Sequence, residues 1–111
     1  MTADHGATAR AVAAAVEALP GVARLTTGKG VVSAATHYPG GTVNGVRVVT
    51  DMVWVHIVVA RLPIGPVADD ALRAARTALD GMGDSRKVEV VVEDVDEGAL
   101  DSFSAPSGGP A

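Results

Sequence analysis

Apolar residues recur at helical spacing near the start of the chain. Ala9, Val12, Ala13, Val16 and Leu19 share one face over residues 7–19, while Arg10 and Glu17 lie off it. Alanine is the best helix former, so local propensity agrees with the pattern. Thr8 or Asp4 is placed to cap the start, and Pro20-Gly21 stops the helix. The period then changes. Short β-branched runs at Val22–Leu25, Val31–His37, Val46–Val49 and Met52–Ala60 predict strands, broken by Gly28, Gly30, Pro39-Gly40-Gly41 and Asn44-Gly45. Thr50-Asp51 predicts a tight hairpin between the last two runs, and Asn44-Gly45 fits either a hairpin turn or the end of a longer loop.

Helical spacing returns after a link at residues 61–65. Ala68, Ala71, Leu72, Ala75, Ala78 and Leu79 form an apolar stripe on a helix over residues 66–80, with Pro66 in its first turn. Asp69 with Arg73, and Arg76 with Asp80, stand at i,i+4 spacing and should pair. Gly81 and Gly83 supply the stop, and Lys87–Asp94 is a final valine-rich strand. The order is helix, strands, hairpin, helix, strand. It predicts an α+β fold, a two-layer sandwich of two helices on one face of a mixed three- to five-stranded sheet. The return from strand 52–60 through the second helix to strand 88–94 has crossover length, which makes those strands candidate parallel neighbours.

Alternation along residues 52–60 sets the functional expectation. Val53, Val55, Ile57 and Val59 point one way and should lie under the helices. Met52, Trp54, His56 and Val58 point the other way, and Arg47, Glu89 or Glu93 can join them. Two helices cover only one face, so the second meets solvent or a partner. Met52, Trp54, His56 and Arg47 are therefore the candidate interaction patch. The alternative is that loop 38–45 or the C-terminal tail folds over Trp54. Histidine gains charge in mildly acidic solution, so acidification should weaken association at the patch unless an acid such as Glu89 pairs with His56.

Composition narrows the class. The 111 residues are 48% hydrophobic and 20% charged, which suits one folded domain over residues 7–96. Residues 1–6 read as a flexible N-terminus and residues 97–111 as a disordered acidic, Gly-Pro-Ser-rich tail. There is no cysteine, which excludes disulfides, thiol nucleophiles and thiolate metal sites. A net charge of −4 argues against nucleic acid and anionic lipid as partners, and Arg86-Lys87 is too short a basic run for a nucleic-acid footprint. No signal peptide or membrane-length apolar run is visible, so a cytoplasmic protein is expected.

Catalytic and metal chemistry find little to stand on. His5, His37 and His56 lack a third ligand at metal spacing. No serine stands in a nucleophile-elbow context. Thr26-Thr27-Gly28-Lys29-Gly30 lacks both the leading glycine, where Ala23 stands, and the Ser or Thr that follows the lysine of a phosphate loop. Glu93, Asp94, Asp96 and Glu97 lack the central glycine of a calcium loop and read as a solvated acidic rim. No catalytic residue, cofactor or metal is expected.

The succession of segments resembles the alkaline shock protein family of bacterial envelope stress response proteins. The resemblance covers about residues 9–96. It rests on the helix-ending step Val16–Ala23, the hairpin strands from Gly45-Val46-Arg47-Val48 and Val53–Val59, the Pro66-Val67-Ala68 helix start with Met82 near its end, and the closing strand Lys87–Val95. The chain departs from the family at Ala60-Arg61-Leu62-Pro63, where members often carry a Tyr-Gly step, and at Arg73 and Arg76, where a glutamine is common. The resemblance implies a non-enzymatic structural or adaptor protein that self-associates as a homo-oligomer or binds a small membrane protein. The other reading of the residues is a regulatory or small-ligand-binding domain serving a neighbouring enzyme, with loops 26–30 and 38–45 lining a pocket.

Overall fold

The first apolar stripe forms α1 (His5–Glu17), with Ala9, Val12, Ala13 and Val16 buried and Leu19 packed at the margin. The computed structural model describes residues 5–28 and 34–98. The helix begins two residues before the expected start, so residues 5 and 6 belong to it rather than to a loose terminus, and Gly6 is buried. The second helix, α2 (Ile64–Gly81), also starts two residues early. Pro66 remains within its first turn, where the missing N–H leaves no helical acceptor unfilled. Its buried line is Val67, Ala71, Ala75 and Leu79. Leu72, expected in that stripe, is 42% exposed, because the helix turns the 67–71–75–79 row onto the sheet. Asp84 N–H donates to Leu79 O at 2.9 Å and Gly83 N–H to Asp80 O at 3.0 Å. This pair of bonds closes the helix with Gly83 at φ +70°, a left-handed position that suits glycine.

The strands are β1 (Val22–Leu25), β2 (Ala35–Tyr38), β3 (Gly41–Asn44), β4 (Val46–Val48), β5 (Met52–Val59) and β6 (Lys87–Val95). The long apolar strand β5 is the axis of the main sheet. Along one edge, β1 pairs antiparallel with its C-terminal half and β4 with its N-terminal half. Along the other edge β6 runs parallel to it, as the crossover length anticipates. The main sheet is thus a mixed four-stranded sheet, and β2 and β3 form a separate two-stranded antiparallel sheet. The first part of the expected strand 31–37 and most of the expected tail fall outside the described residues. Residues 38–45, expected as a loop, instead supply the Pro39-Gly40 turn and strand β3.

Two strands can share one edge only if they meet end to end, and Gly45 makes this possible. His56 donates from its backbone N–H to Gly45 O at 2.8 Å and accepts from Thr26 N–H at 3.0 Å, so one residue of β5 stitches both strands. A methyl group at Gly45 would lie 2.5 Å from Leu25 Cβ and 3.0 Å from Thr26 N, and φ is +89°. Glycine serves here both for the backbone conformation and for the close approach.

Both helices lie on one face of the main sheet. Val46, Val48, Val53, Val55, Ile57 and Val59 close against Val12, Val16, Val67, Ala71, Ala75 and Leu79. Ile57 and Leu79 are the largest fully buried side chains. Most of this core is valine and alanine, which lets the helices sit close to the sheet without aromatic filling.

Candidate interaction surface

The face of the sheet away from the helices is built by strand pleating alone. In the antiparallel register Arg47 stands opposite Trp54, and in the parallel register Glu89 stands on its other side. Met52 is beside Lys87, and His56 is beside Val91. The four residues read from the sequence as a patch, Met52, Trp54, His56 and Arg47, therefore share one surface. Each is half-buried.

Polar contacts across the strands hold this surface in place. The Trp54 indole N–H donates to Glu89 Oε2 at 3.1 Å. His56 Nδ1 lies 2.8 Å from Glu93 Oε1, with side chains only 16% and 19% exposed. The acid beside His56 is thus Glu93, while Glu89 serves the indole. A charge gained by the imidazole falls directly against a carboxylate. A methyl group added at Gly28 would lie 3.2 Å from both His56 Nδ1 and Glu93 Oε1, so this loop residue packs over the pair.

Val58 does not belong to the patch. It was expected to share the open face but is only 2% exposed. The pleat is interrupted around it. The β1 register steps from Val22 to Arg24 between Val59 and Val58, and the β6 register steps from Val92 to Asp94 between Ile57 and Val58. An extra residue in each flanking strand, Ala23 and Glu93, re-aims the local side chains.

The acidic run at the end of β6 is partly engaged. Arg24 Nη1 meets Asp96 Oδ1 at 3.4 Å, Asp94 Oδ1 accepts from Val95 N–H at 2.8 Å, and Glu93 holds His56. His37 meets Thr42 Oγ1 at 3.0 Å across the β2–β3 hairpin. Among the described residues no group of three or more His, Asp or Glu side chains is arranged to hold a metal ion. No helix among them is long and apolar enough to cross a membrane.

The β2–β3 hairpin lies against α1 and the β4 edge. The Arg10 guanidinium sits 4.5 Å from the centre of the Tyr38 ring. A cleft of about 560 Å³ opens between α1 and the hairpin, with Arg10, Glu17, Arg24 and Tyr38 among its lining residues. Thr36 joins the hairpin to the main sheet. Its buried hydroxyl donates to Val46 O at 2.7 Å and accepts from Val48 N–H at 3.1 Å.

A second polar cluster escaped the sequence reading. Arg86 pairs with Asp84 where their side chains are only 10% and 8% exposed. Arg86 Nε also donates to Val49 O at 2.8 Å. Arg76 reaches from α2 to the carbonyls of Arg86 and Asp84, the latter at 2.5 Å from Nη2, while its Nε meets Asp80 at 3.0 Å. The expected Arg76–Asp80 pair is present. Arg73 pairs with Asp70, three residues away, at 3.2 Å, in place of the expected Asp69.

Compared with known proteins, the chain matches no family model, no curated protein and no solved structure.

Proposed function

We propose that the protein is a non-enzymatic structural or adaptor protein of the cytoplasmic side of the cell-envelope stress response. It acts by laying the helix-free face of its sheet on a second copy of itself or on a small membrane-anchored partner. One observation carries this reading: an indole and a thioether, Trp54 and Met52, stand on the sheet face that neither helix covers. Aromatic residues and methionine are enriched at protein interfaces, and a pleated face fixes their positions before a partner arrives. The titratable groups around them are engaged in holding the surface, Glu89 by the indole N–H and Glu93 by His56. The resemblance of the segment order to the alkaline shock protein family supports the stress-response assignment.

The test is sedimentation velocity of wild type and Trp54→Glu over roughly a hundredfold concentration range. Wild type is expected to assemble with rising concentration, and the variant to stop at a smaller assembly than wild type with an unchanged far-UV spectrum. Equal assembly by the two proteins would remove the patch from the interface.

A further inference from the structure

β6 is an edge strand with its outer side unpaired among the described residues, where its one strand partner is β5. Lys87 N–H donates to Asp51 O at 3.2 Å, so the backbone of Lys87 faces β5. Backbone groups alternate along a strand, so Glu89 and Val91 face β5 as well. The N–H and C=O groups of Val88, Val90 and Val92 then point away from the sheet.

Natural edges are blunted with proline, charged side chains or bulges. Over Val88–Val92 this edge carries no proline, no glycine and no bulge, its one charge, Glu89, accepts from the Trp54 indole, and its first irregularity comes at Glu93. The helix-side valines there also differ from those of the inner strands. Val53, Val55 and Ile57 are fully buried, while Val88, Val90 and Val92 are only half-buried. Helix α2 packs on β6, and the valines beneath it keep part of their surface open at the edge.

We infer that β6 pairs antiparallel with β6 of a second copy, about a two-fold axis through Val90. Charge selects this register. The outward-facing residues Val88, Val90 and Val92 can meet only one another, so the registers to compare differ by two residues. An axis through Val91 sets Glu89 opposite Glu93, and an axis through Glu89 sets that glutamate against itself. The axis through Val90 sets Lys87 opposite Glu93 on both sides and Val88 opposite Val92. Lys87 lies in register with Met52 and Glu93 reaches His56, so both belong to the helix-free face, as a direct cross-strand pair requires. The interface is isologous and closes on itself. It also fuses the two helix-free faces into one surface. The inference stands on the edge alone and does not need the Trp54 face to be a contact.

Amide hydrogen exchange of the full chain at rising concentration tests it, read together with sedimentation velocity. The amides of Val88, Val90 and Val92 are expected to exchange freely in the monomer and to slow about tenfold once nine-tenths of the chain is dimeric. Those of Glu89 and Val91 face β5 and are protected throughout. Val90→Pro trims a half-buried side chain and removes an outward N–H but no bond to β5, so it should keep the β5 ladder and leave a monomer, whereas Trp54→Glu should still form the edge dimer. The inference is overturned by a monomer at every concentration. It is equally overturned by a dimer in which those three amides still exchange freely, or by one that Trp54→Glu abolishes and Val90→Pro leaves intact.

Discussion

The two edges of the main sheet are finished in opposite ways. On the β1/β4 side, the hairpin lays Thr36 against β4, and its hydroxyl answers one carbonyl and one N–H that a further strand would otherwise take. On the β6 side, the outward backbone groups of three valines have no strand beside them among the described residues. A chain that spends a whole hairpin closing one edge, and leaves the longer one regular and valine-rich, treats its edges as different objects. An edge strand is a template for another strand unless something blunts it. The contrast separates a structural seam from a surface that a partner strand can read.

The largest effect is expected where both edges are tied together. Arg86 donates to the Val49 and Thr50 carbonyls at the β4–β5 turn and pairs with Asp84 just before β6. Arg86→Ala would leave the Asp84 carboxylate buried without its guanidinium and free the turn from the start of β6. Breaking a buried ion pair by removing one partner costs about 3–5 kcal/mol. Urea denaturation should show a loss near the lower end of that range, because each side chain keeps some exposure. A loss below about 1 kcal/mol would mean that the turn and β6 hold their places without the clamp.

An intermediate effect is expected at the sealed edge. Thr36→Val keeps the branched shape but removes the hydroxyl between Val46 O and Val48 N–H. A buried donor and acceptor left unmatched cost about 1–3 kcal/mol. Denaturation should report about 2 kcal/mol, and the Val48 amide should exchange faster than in wild type. An unchanged Val48 amide would show that the hairpin closes this edge by some other contact.

The contrast between edges was only partly legible in the sequence. Period-2 alternation placed Trp54 and Ile57 on opposite faces, and crossover length placed β6 parallel to β5, because both follow from local geometry and chain reach. The sharing of one edge by β1 and β4 was not legible. It depends on Gly45 approaching Leu25, residues twenty positions apart whose meeting no local pattern announces. Residues 38–45 read as loop because Pro39, Gly40 and Gly41 mark a turn without marking the strand that follows. Val58 followed the alternation until two bulges moved it inside, and a bulge leaves no signature in a run of valines. In the candidate patch, the four residues could be named from the pleat. Their partners depended on rotamers and strand order, which is why Glu93 rather than Glu89 meets His56.

The smallest effect on the monomer, and the sharpest on the open edge, is expected from Lys87→Glu. Lys87 is exposed at the start of β6, and no ion pair among the described residues depends on it. Monomer stability should therefore change by no more than about 0.5 kcal/mol. The edge dimer responds differently, because the two-fold axis through Val90 uses the lysine twice. Each Lys87–Glu93 attraction becomes a repulsion between glutamates. Cross-strand charge pairs are worth about 0.2–1 kcal/mol each, so two reversals together weaken dimerisation by about tenfold. The size of the loss reports the register. An axis through Glu89 would set position 87 opposite Val91 and give almost no change. An axis through Val91 would set it opposite Val95, again without a charged partner. A tenfold loss with unchanged monomer stability would fix the pairing at Val90, and a dimer indifferent to Lys87→Glu would exclude that register while leaving the sealed β1/β4 edge as it is.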